Sequence, residues 1–141
     1  MELYYFRFPN GTTNFGDDLN PWLWEKLLPD VFDRDNKSIF VGIGTLLNKS
    51  LPKANKTAVL GSGVGYGGRG LPTIDESWKI YCVRGPLSAK KLGIAPELAV
   101  SDGAALIRRM YKLSTHKRTK FAYMPLALLL LLMRLPWEGF P

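Results

Sequence analysis

The clearest indication of this chain's fold is the stretch Asn14-Phe15-Gly16-Asp17-Asp18-Leu19-Asn20-Pro21. Its composition is typical of a polar loop between a strand and a helix. An apolar run, Leu3–Phe8, precedes it, and an amphipathic segment that begins at Trp22 follows it. In open α/β sheets, loops of this kind lie at the carboxyl ends of the strands, where ligands bind. The stretch therefore predicts an α/β domain with a binding site at that edge.

Short runs rich in Val, Ile, Tyr and Phe alternate with helical segments along the rest of the chain. The predicted strands are Leu3–Phe8, Ser38–Val41, Thr57–Leu60, Trp78–Val83, Leu98–Val100 and Lys120–Tyr123. The predicted helices are Asp18–Leu28, Pro86–Leu92 and Ala104–Tyr111. Proline suits a first helical turn and glycine a helix end, as Pro86 and Gly93 illustrate. The alternation predicts a Rossmann-like, mainly parallel sheet with flanking helices.

The composition is that of a folded protein of one ordinary domain. The chain has 141 residues, of which 46% are hydrophobic and 22% charged. Its single cysteine, Cys82, excludes an internal disulfide framework and is predicted to be a buried structural thiol in a reducing compartment. The first residues lack a basic segment followed by an apolar one, so no signal peptide is predicted and the expected location is the cytoplasm.

The net charge of +7 is unevenly distributed. Residues 1–102 carry 12 Lys and Arg against 11 Asp and Glu, so nearly all of the excess lies beyond Asp102. A nucleic-acid domain usually spreads basic residues over a binding face with aromatic residues between them. The pattern here favours a solvated helix end and a basic linker, which also contains His116, and predicts no nucleic-acid partner.

Glycine-containing loops follow four further predicted strands at the same expected edge. They are Gly42–Thr45, Gly61–Gly70, Arg84–Ser88 and Ser101–Gly103. Glycine lets the backbone approach a ligand closely, and exposed amides near helix starts can hold anions. Glycine and aspartate are also ordinary turn residues, so each loop taken alone is explained equally well as a simple turn. Five such loops at one edge favour a binding cleft.

The glycine loop after the third strand does not predict a nucleotide site. Gly63, Gly65 and Gly68 fit the spacing G-x-G-x-x-G, but the sequence that follows, Arg69–Thr73, is a loop and not the required helix start. No phosphate-binding loop ending in Gly-Lys-Ser or Gly-Lys-Thr is present. No cofactor is predicted, and no cluster of His, Cys and Asp has the spacing of metal ligands.

Arg84 is the clearest candidate for ligand binding. It ends a predicted strand beside the helix that begins at Pro86, and Ser88 lies in the first turn of that helix. A guanidinium can hold phosphate or carboxylate through two parallel hydrogen bonds. The alternative is a surface arginine that pairs with a neighbouring acid.

Three aspartates are candidate functional residues, and each has two interpretations. Asp17 and Asp18 are predicted to accept protons or to accept hydrogen bonds from sugar hydroxyls. Aspartate is also a preferred residue at helix starts, so a purely structural capping role is the alternative. Asp102, which precedes Gly103, has the same two interpretations, a functional role or helix capping.

Five motifs in order give the chain a family resemblance over roughly Leu3 to Tyr123. They are Asn14–Asp18, Val41–Gly44, Leu60–Gly63, Val83–Ser88 and Ser101–Ala104. This series resembles the polysaccharide pyruvyl transferases. The family pattern often has Asp where this chain has Gly85, and Asp-Pro where it has Asp102-Gly103.

The resemblance implies one half of a glycosyltransferase-B-like architecture, in which two Rossmann-like halves enclose a cleft. It implies transfer of a pyruvyl group from phosphoenolpyruvate to a sugar, forming a ketal on a surface polysaccharide or its lipid-linked oligosaccharide precursor. Arg84 would clamp the donor's anionic groups, and Asp17 and Asp18 would be the catalytic candidates. The implied substrate-binding residues are Asn14, Gly16, Gly44, Gly61, Ser62, Gly63, Arg84, Ser88 and Asp102.

The end of the chain departs from this pattern. Residues 1–123 are interpreted as the first half, and residues 124–141 as an aberrant leucine-rich tail. The apolar run Leu126–Met133 is far shorter than the ~20 residues needed to span a bilayer. We expect a frameshift near Met124–Leu126 and a truncated product that is inactive alone and self-associates through exposed apolar surface. The alternative is a natural short form whose tail touches the inner face of a membrane or dimerises.

Two other functional classes stay open on the sequence. One is half of a glycosyltransferase that uses a nucleotide sugar, since its sheet and loops would look alike. The other is a non-catalytic binding module attached to a membrane through the tail.

Overall fold

The computed structural model describes residues 1–33, 37–65 and 68–111. These residues belong to a compact unit formed by Met1–Tyr111. The predicted strand Lys120–Tyr123, His116 and the leucine-rich tail lie outside the described residues, so the predictions made for them stay predictions.

Within the described residues, four parallel strands form the sheet: β1 (Glu2–Tyr4), β2 (Ser38–Val41), β3 (Lys56–Leu60) and β4 (Trp78–Cys82). They are hydrogen-bonded in chain order, β1-β2-β3-β4, and every neighbouring pair is parallel. All four carboxyl ends therefore lie at one edge of the sheet, as the alternating pattern predicts.

In the part of the chain that the structure describes, two α-helices accompany the sheet: α1 (Phe15–Leu27) and α2 (Pro86–Leu92). The bounds of α2 are the predicted ones, and Gly93 ends this helix in the left-handed conformation with a φ of 66°. The predicted helix Ala104–Tyr111 is a 3-10 helix, Gly103–Arg109. The predicted Rossmann-like α/β class is confirmed, whereas its place in a two-domain architecture stays a prediction.

The predicted strand Leu98–Val100 is wrong. A 3-10 helix, Pro96–Leu98, takes its place, and only Ala99 forms a parallel bridge, to Val83. Pro96 starts this turn because its fixed φ suits a helical first position. The first strand is also shorter than predicted, since β1 ends at Tyr4 and the rings of Phe6 and Phe8 pack edge-to-face beyond it.

Both faces of the sheet are covered, because consecutive residues of a strand point to opposite sides. In β2, Ile39 and Val41 belong to one core cluster and Phe40 to the other. Helix α1 packs Leu23 and Trp24 against the Phe40 face. The opposite cluster contains Leu46, Leu47, Val59, Val83 and Ala89, the last from α2.

Cys82 is half-buried rather than fully buried, and it is a free thiol. Burial raises the pKa of this thiol, and a hydrogen bond from the Gly61 backbone opposes the rise. Among the described residues, no helix is long and apolar enough to cross a membrane.

Candidate functional site

Asn20 fixes the loop after β2 to α1. Its side chain is fully buried and makes four hydrogen bonds. Nδ2 donates to the carbonyl oxygens of Asp17 and Ile43 at 3.1 and 3.0 Å. Oδ1 accepts from the backbone N of Ile43 at 2.8 Å and from Nε1 of Trp24 at 3.1 Å. One side chain thus ties the loop after β2 to the helix that carries Asp17.

Two glycines make room for Trp24 beneath this loop. A Cβ on Gly42 would lie 2.0 Å from Nε1 of Trp24, and one on Gly103 would lie 2.8 Å from its Cζ2. Any side chain at Gly42 would therefore push the buried indole away from Asn20. These two glycines are required by packing, so their place in the motifs reflects architecture.

The loops after β2 and β3 are joined by direct hydrogen bonds. The carbonyl oxygen of Gly44 accepts from the backbone N of Gly63 at 2.9 Å and from Oγ of Ser62 at 3.0 Å. Gly44 has a φ of 120° and Gly61 a φ of 88°, values that glycine adopts without strain. A Cβ on Gly61 would lie 2.3 Å from the backbone N of Gly103, so this position also tolerates only glycine.

The guanidinium of Arg84 lies directly over Gly63. A Cβ on Gly63 would come within 2.7 Å of Nε and 2.8 Å of Nη2 of Arg84. The backbone N of Arg84 donates to the carbonyl oxygen of Ser62 at 2.9 Å, which fixes the base of the side chain. Within the described residues, the guanidinium itself makes no hydrogen bond or ion pair. The predicted alternative, a pairing with a neighbouring acid, does not occur among these residues.

Ser88 binds α2 to the same glycine loop. Its buried Oγ accepts a hydrogen bond from the backbone N of Val64 at 3.2 Å. The structure therefore gives Ser88 a definite positioning contact, while its predicted part in substrate binding stays untested.

Asp17 lies at the other end of this row of loops. Its Oδ1 would be 3.6 Å from a Cβ on Gly44, the residue whose carbonyl oxygen holds Gly63. Burial raises the pKa of the Asp17 carboxyl, and the neighbouring charge of Asp18 raises it further. A carboxyl group with a raised pKa can hold a proton closer to neutral pH, which suits an acid–base role.

The other acidic and amide candidates act as caps in this structure. Oδ1 of Asn14 accepts from the backbone N of Gly16 at 2.9 Å, and Oδ2 of Asp18 accepts from the backbone N of Asn14 at 3.1 Å. Oδ1 of Asp102 accepts from the backbone N of Ala104 at 2.9 Å, which begins the second 3-10 helix. The contacts of Asp18 and Asp102 are the helix-capping alternative that the sequence left open, whereas the capping contact of Asn14 was not predicted.

Two cavities lie along the carboxyl edge. The large cleft has a volume of about 970 Å³ and includes Asp17 in its wall. The small cavity has a volume of about 590 Å³ and includes Arg84 and Ser88. Both volumes lie within the range of about 300–1,000 Å³ typical of small-molecule sites. The structure therefore places the candidate acid and the candidate anion clamp in adjacent cavities.

Sequence reasoning missed several residues of these walls. Arg69 belongs to the large cleft, Lys90 to the small cavity, and Lys91 and Val64 to both. Asn20, part of the opening motif, was also not recognised as the residue that holds the edge together. The exposed lysines of α2 carry no motif signal, since lysine near the end of a helix is ordinary. Within the described residues, no group of three or more His, Cys, Asp or Glu is placed to hold a metal ion.

Comparison with known proteins gives one informative relationship. The succinoglycan biosynthesis protein ExoV of Rhizobium meliloti (strain 1021) is 44% identical to this chain over 126 residues. The match covers 81% of the chain and 39% of ExoV, so the chain spans less than half of this relative's length. No protein-family model matches the chain, and no solved structure is significantly similar to it.

Proposed function

Since the chain belongs to the polysaccharide pyruvyl transferase family, we propose that it serves pyruvyl transfer in the biosynthesis of a surface polysaccharide. The donor in this proposal is phosphoenolpyruvate, and the acceptor is a sugar of the polysaccharide or of its lipid-linked oligosaccharide precursor. The 44% identity to a succinoglycan biosynthesis protein supports the polysaccharide part of the proposal.

The unpaired guanidinium of Arg84 is the observation that carries the proposal. Phosphoenolpyruvate has a phosphate and a carboxylate attached to the same carbon atom, so its site needs several cationic donors. The small cavity supplies Arg84, Lys90 and Lys91, and none of its described wall residues is acidic. A cation with no protein partner is available to bind an anionic ligand, and Gly63 leaves the space in which the guanidinium lies.

The reaction requires protons to move in balance. A proton is added to the methylene carbon of phosphoenolpyruvate, which becomes the methyl group and leaves an electron-deficient carbon beside it. One sugar hydroxyl adds to that carbon and loses its proton. The carbon–oxygen bond to phosphate breaks, a second hydroxyl closes the ketal, and its proton leaves with the phosphate. Asp17 is the described residue best suited to hold one of these protons, because its pKa is raised.

The whole reaction is proposed for a protein of the full length of ExoV, because the chain spans only 39% of that relative. The described residues would contribute the cations that bind the donor's phosphate and carboxylate groups, and one acid–base group. We place the reaction in the cytoplasm at the inner face of the membrane, where a lipid-linked acceptor would be reached.

The test is a thermal-unfolding titration of the full chain with phosphoenolpyruvate. Ligand that binds only the folded state raises the midpoint with concentration. The midpoint should rise for the natural sequence and for Lys79→Gln, a control at the amino end of β4. It should not rise for Arg84→Gln.

An equal rise in Arg84→Gln would contradict the proposed clamp. A rise with a nucleotide sugar, and none with phosphoenolpyruvate, would instead support the nucleotide-sugar glycosyltransferase alternative.

A further inference from the structure

The large cleft contains a cation, Arg69, that the donor site does not explain. Arg69 lines the cleft together with Lys91, which also lines the small cavity, and with the neutral polar residues Thr45, Asn48 and Ser50. Within the described residues, neither cation forms a hydrogen bond or an ion pair. A cleft wall with two unpaired cations favours an anionic ligand.

The acid in this cleft does not neutralise these cations. Asp17 is the acidic residue of its described wall, and its pKa is raised by burial and by Asp18. Within the described residues, no ion pair joins Asp17 to Arg69 or Lys91.

The rest of the wall suits a sugar rather than a bare anion. Tyr4 and Phe6 contribute aromatic surface, and Thr45, Asn48 and Ser50 contribute hydroxyl and amide groups. Ligand sites combine apolar and aromatic surface with a few polar groups that fix orientation. A sugar ring has both apolar C–H faces and hydroxyl groups, and can use both kinds of contact.

The boundary between the two cavities is built from Val64 and α2. Val64 lines both cavities, and its backbone N is held by Oγ of Ser88. Lys91 follows Ser88 by three residues in α2, a spacing that places both on the same side of a helix. Lys91 also lines both cavities, so this residue lies at their junction.

We propose that the carboxyl edge holds two adjacent anion sites that share Lys91, with a second site at Arg69 that binds a sugar carrying a phosphate or carboxylate group. The first site is the Arg84 cavity. Naming the anionic sugar as the acceptor rests on the proposed function; the existence of the second site does not. With both ligands bound, the acceptor sugar and the donor meet across Val64, beside Lys91.

The sharing of Lys91 gives the experiment three distinct variants. The full chain is titrated calorimetrically with phosphoenolpyruvate, glucose 1-phosphate, glucuronate and glucose. Arg69→Gln should weaken binding of the anionic sugar by at least about tenfold and leave phosphoenolpyruvate unchanged. Arg84→Gln should do the reverse, Lys91→Gln should weaken both, and Lys79→Gln should weaken neither.

The anionic sugars identify the source of the charge. Tighter binding of glucose 1-phosphate indicates a phosphate group on the natural ligand, and tighter binding of glucuronate indicates a carboxylate. Glucose itself should bind more weakly than the better of the two. Saturating phosphoenolpyruvate should leave room for the sugar, because the two sites are adjacent cavities.

Three results would overturn the inference. They are equal binding of glucose and both anionic sugars, unchanged sugar binding in Arg69→Gln, and unchanged binding of both ligand classes in Lys91→Gln. If phosphoenolpyruvate fails to bind but glucose 1-phosphate binds in an Arg69-dependent way, the proposed donor is wrong and the second site is supported. Failure of the inference and failure of the proposed function therefore give different results.

Discussion

The amide side chains of α1 and its N-cap differ from the cations at the end of β4 and on α2 in how they are satisfied. On the α1 side, Asn14 and Asn20 have protein partners, and those of Asn20 satisfy its whole amide group. On the α2 side, Arg84 and Lys91 have no hydrogen-bond or ion-pair partner among the described residues. Satisfied polar groups position the loops, whereas unsatisfied cations are available to a ligand. This contrast distinguishes residues that hold the loops in place from residues available to a ligand more clearly than the motifs do.

The largest expected effect comes from breaking the α1 side. Asn20→Ala removes the buried partners of Trp24 Nε1 and of the backbone of Ile43. Each buried polar group left without a partner costs about 1–3 kcal/mol. We expect the free energy of unfolding to fall by roughly 3–5 kcal/mol, as measured by urea denaturation.

Asn48→Ala is the matched control for Asn20. Asn48 is half-buried and makes only local contacts, with Leu46 and Ser50. Its loss should cost about 1 kcal/mol or less. Equal losses in the two variants would show that Asn20 has no special part in holding the edge together.

An effect of intermediate size is expected when the α2 side is altered. Ligand binding should weaken, with little change in stability. Gly63→Ala adds a Cβ within 2.7 Å of the Arg84 side chain, so the flexible guanidinium must move. The midpoint shift produced by phosphoenolpyruvate should shrink, while the midpoint without ligand changes by only a few degrees. Thermal unfolding measures both quantities.

Gly85→Ala is the control for Gly63→Ala. Gly85 also lines the small cavity, but a Cβ there would meet nothing within 4 Å, and its φ of 174° is extended backbone. Its phosphoenolpyruvate response should be that of the natural sequence. A full response in Gly63→Ala as well would show that the position of the guanidinium does not govern binding.

The smallest expected effect is the pH dependence of Asp17. Burial, and then the charge of Asp18, raise the Asp17 pKa above its ordinary value of 3.8. The folded state therefore holds this proton more readily than the unfolded state, and stability is lost as the pH rises through the raised pKa. Asp17→Asn removes that loss, so the variant should gain stability over the natural chain as the pH rises from 3.8 towards 7.

Thermal midpoints of both proteins across this pH range measure the Asp17 difference. The gain should disappear below pH 3.8, where the carboxyl group is protonated in both states. A variant less stable than the natural chain at pH 7 would show that the favourable charge at the start of α1 outweighs the cost of burial.

Much of the fold was predictable because its signals are local. The apolar runs of β2 and β3, and Pro86 with Gly93 at the ends of α2, carry their own chemistry. The failed strand at Leu98–Val100 shows the limit of such signals. Its residues favour a strand, but the turn begun by Pro96 leaves Ala99 as the single bridging residue.

The candidate site was predictable in place but not in detail. The sequence located Arg84, Asp17 and the glycine loops at one edge. It left capping and binding open for Asp102, and the structure shows the capping contact. Arg69 and Lys91 carried no signal, since exposed cations are common on any surface.

Local signals were therefore enough to predict the α/β class, the parallel sheet and the edge at which its loops lie, because periodicity, proline and glycine act over a few residues. The contacts between loops, the partners of the polar groups and the cations that share a cavity depend instead on the packing of the whole unit. Asn20 reaches Ile43 across 23 positions, and Val64 reaches Ser88 across 24. Contacts between positions so far apart are set by how the strands pack side by side, and the cavity walls follow from that packing.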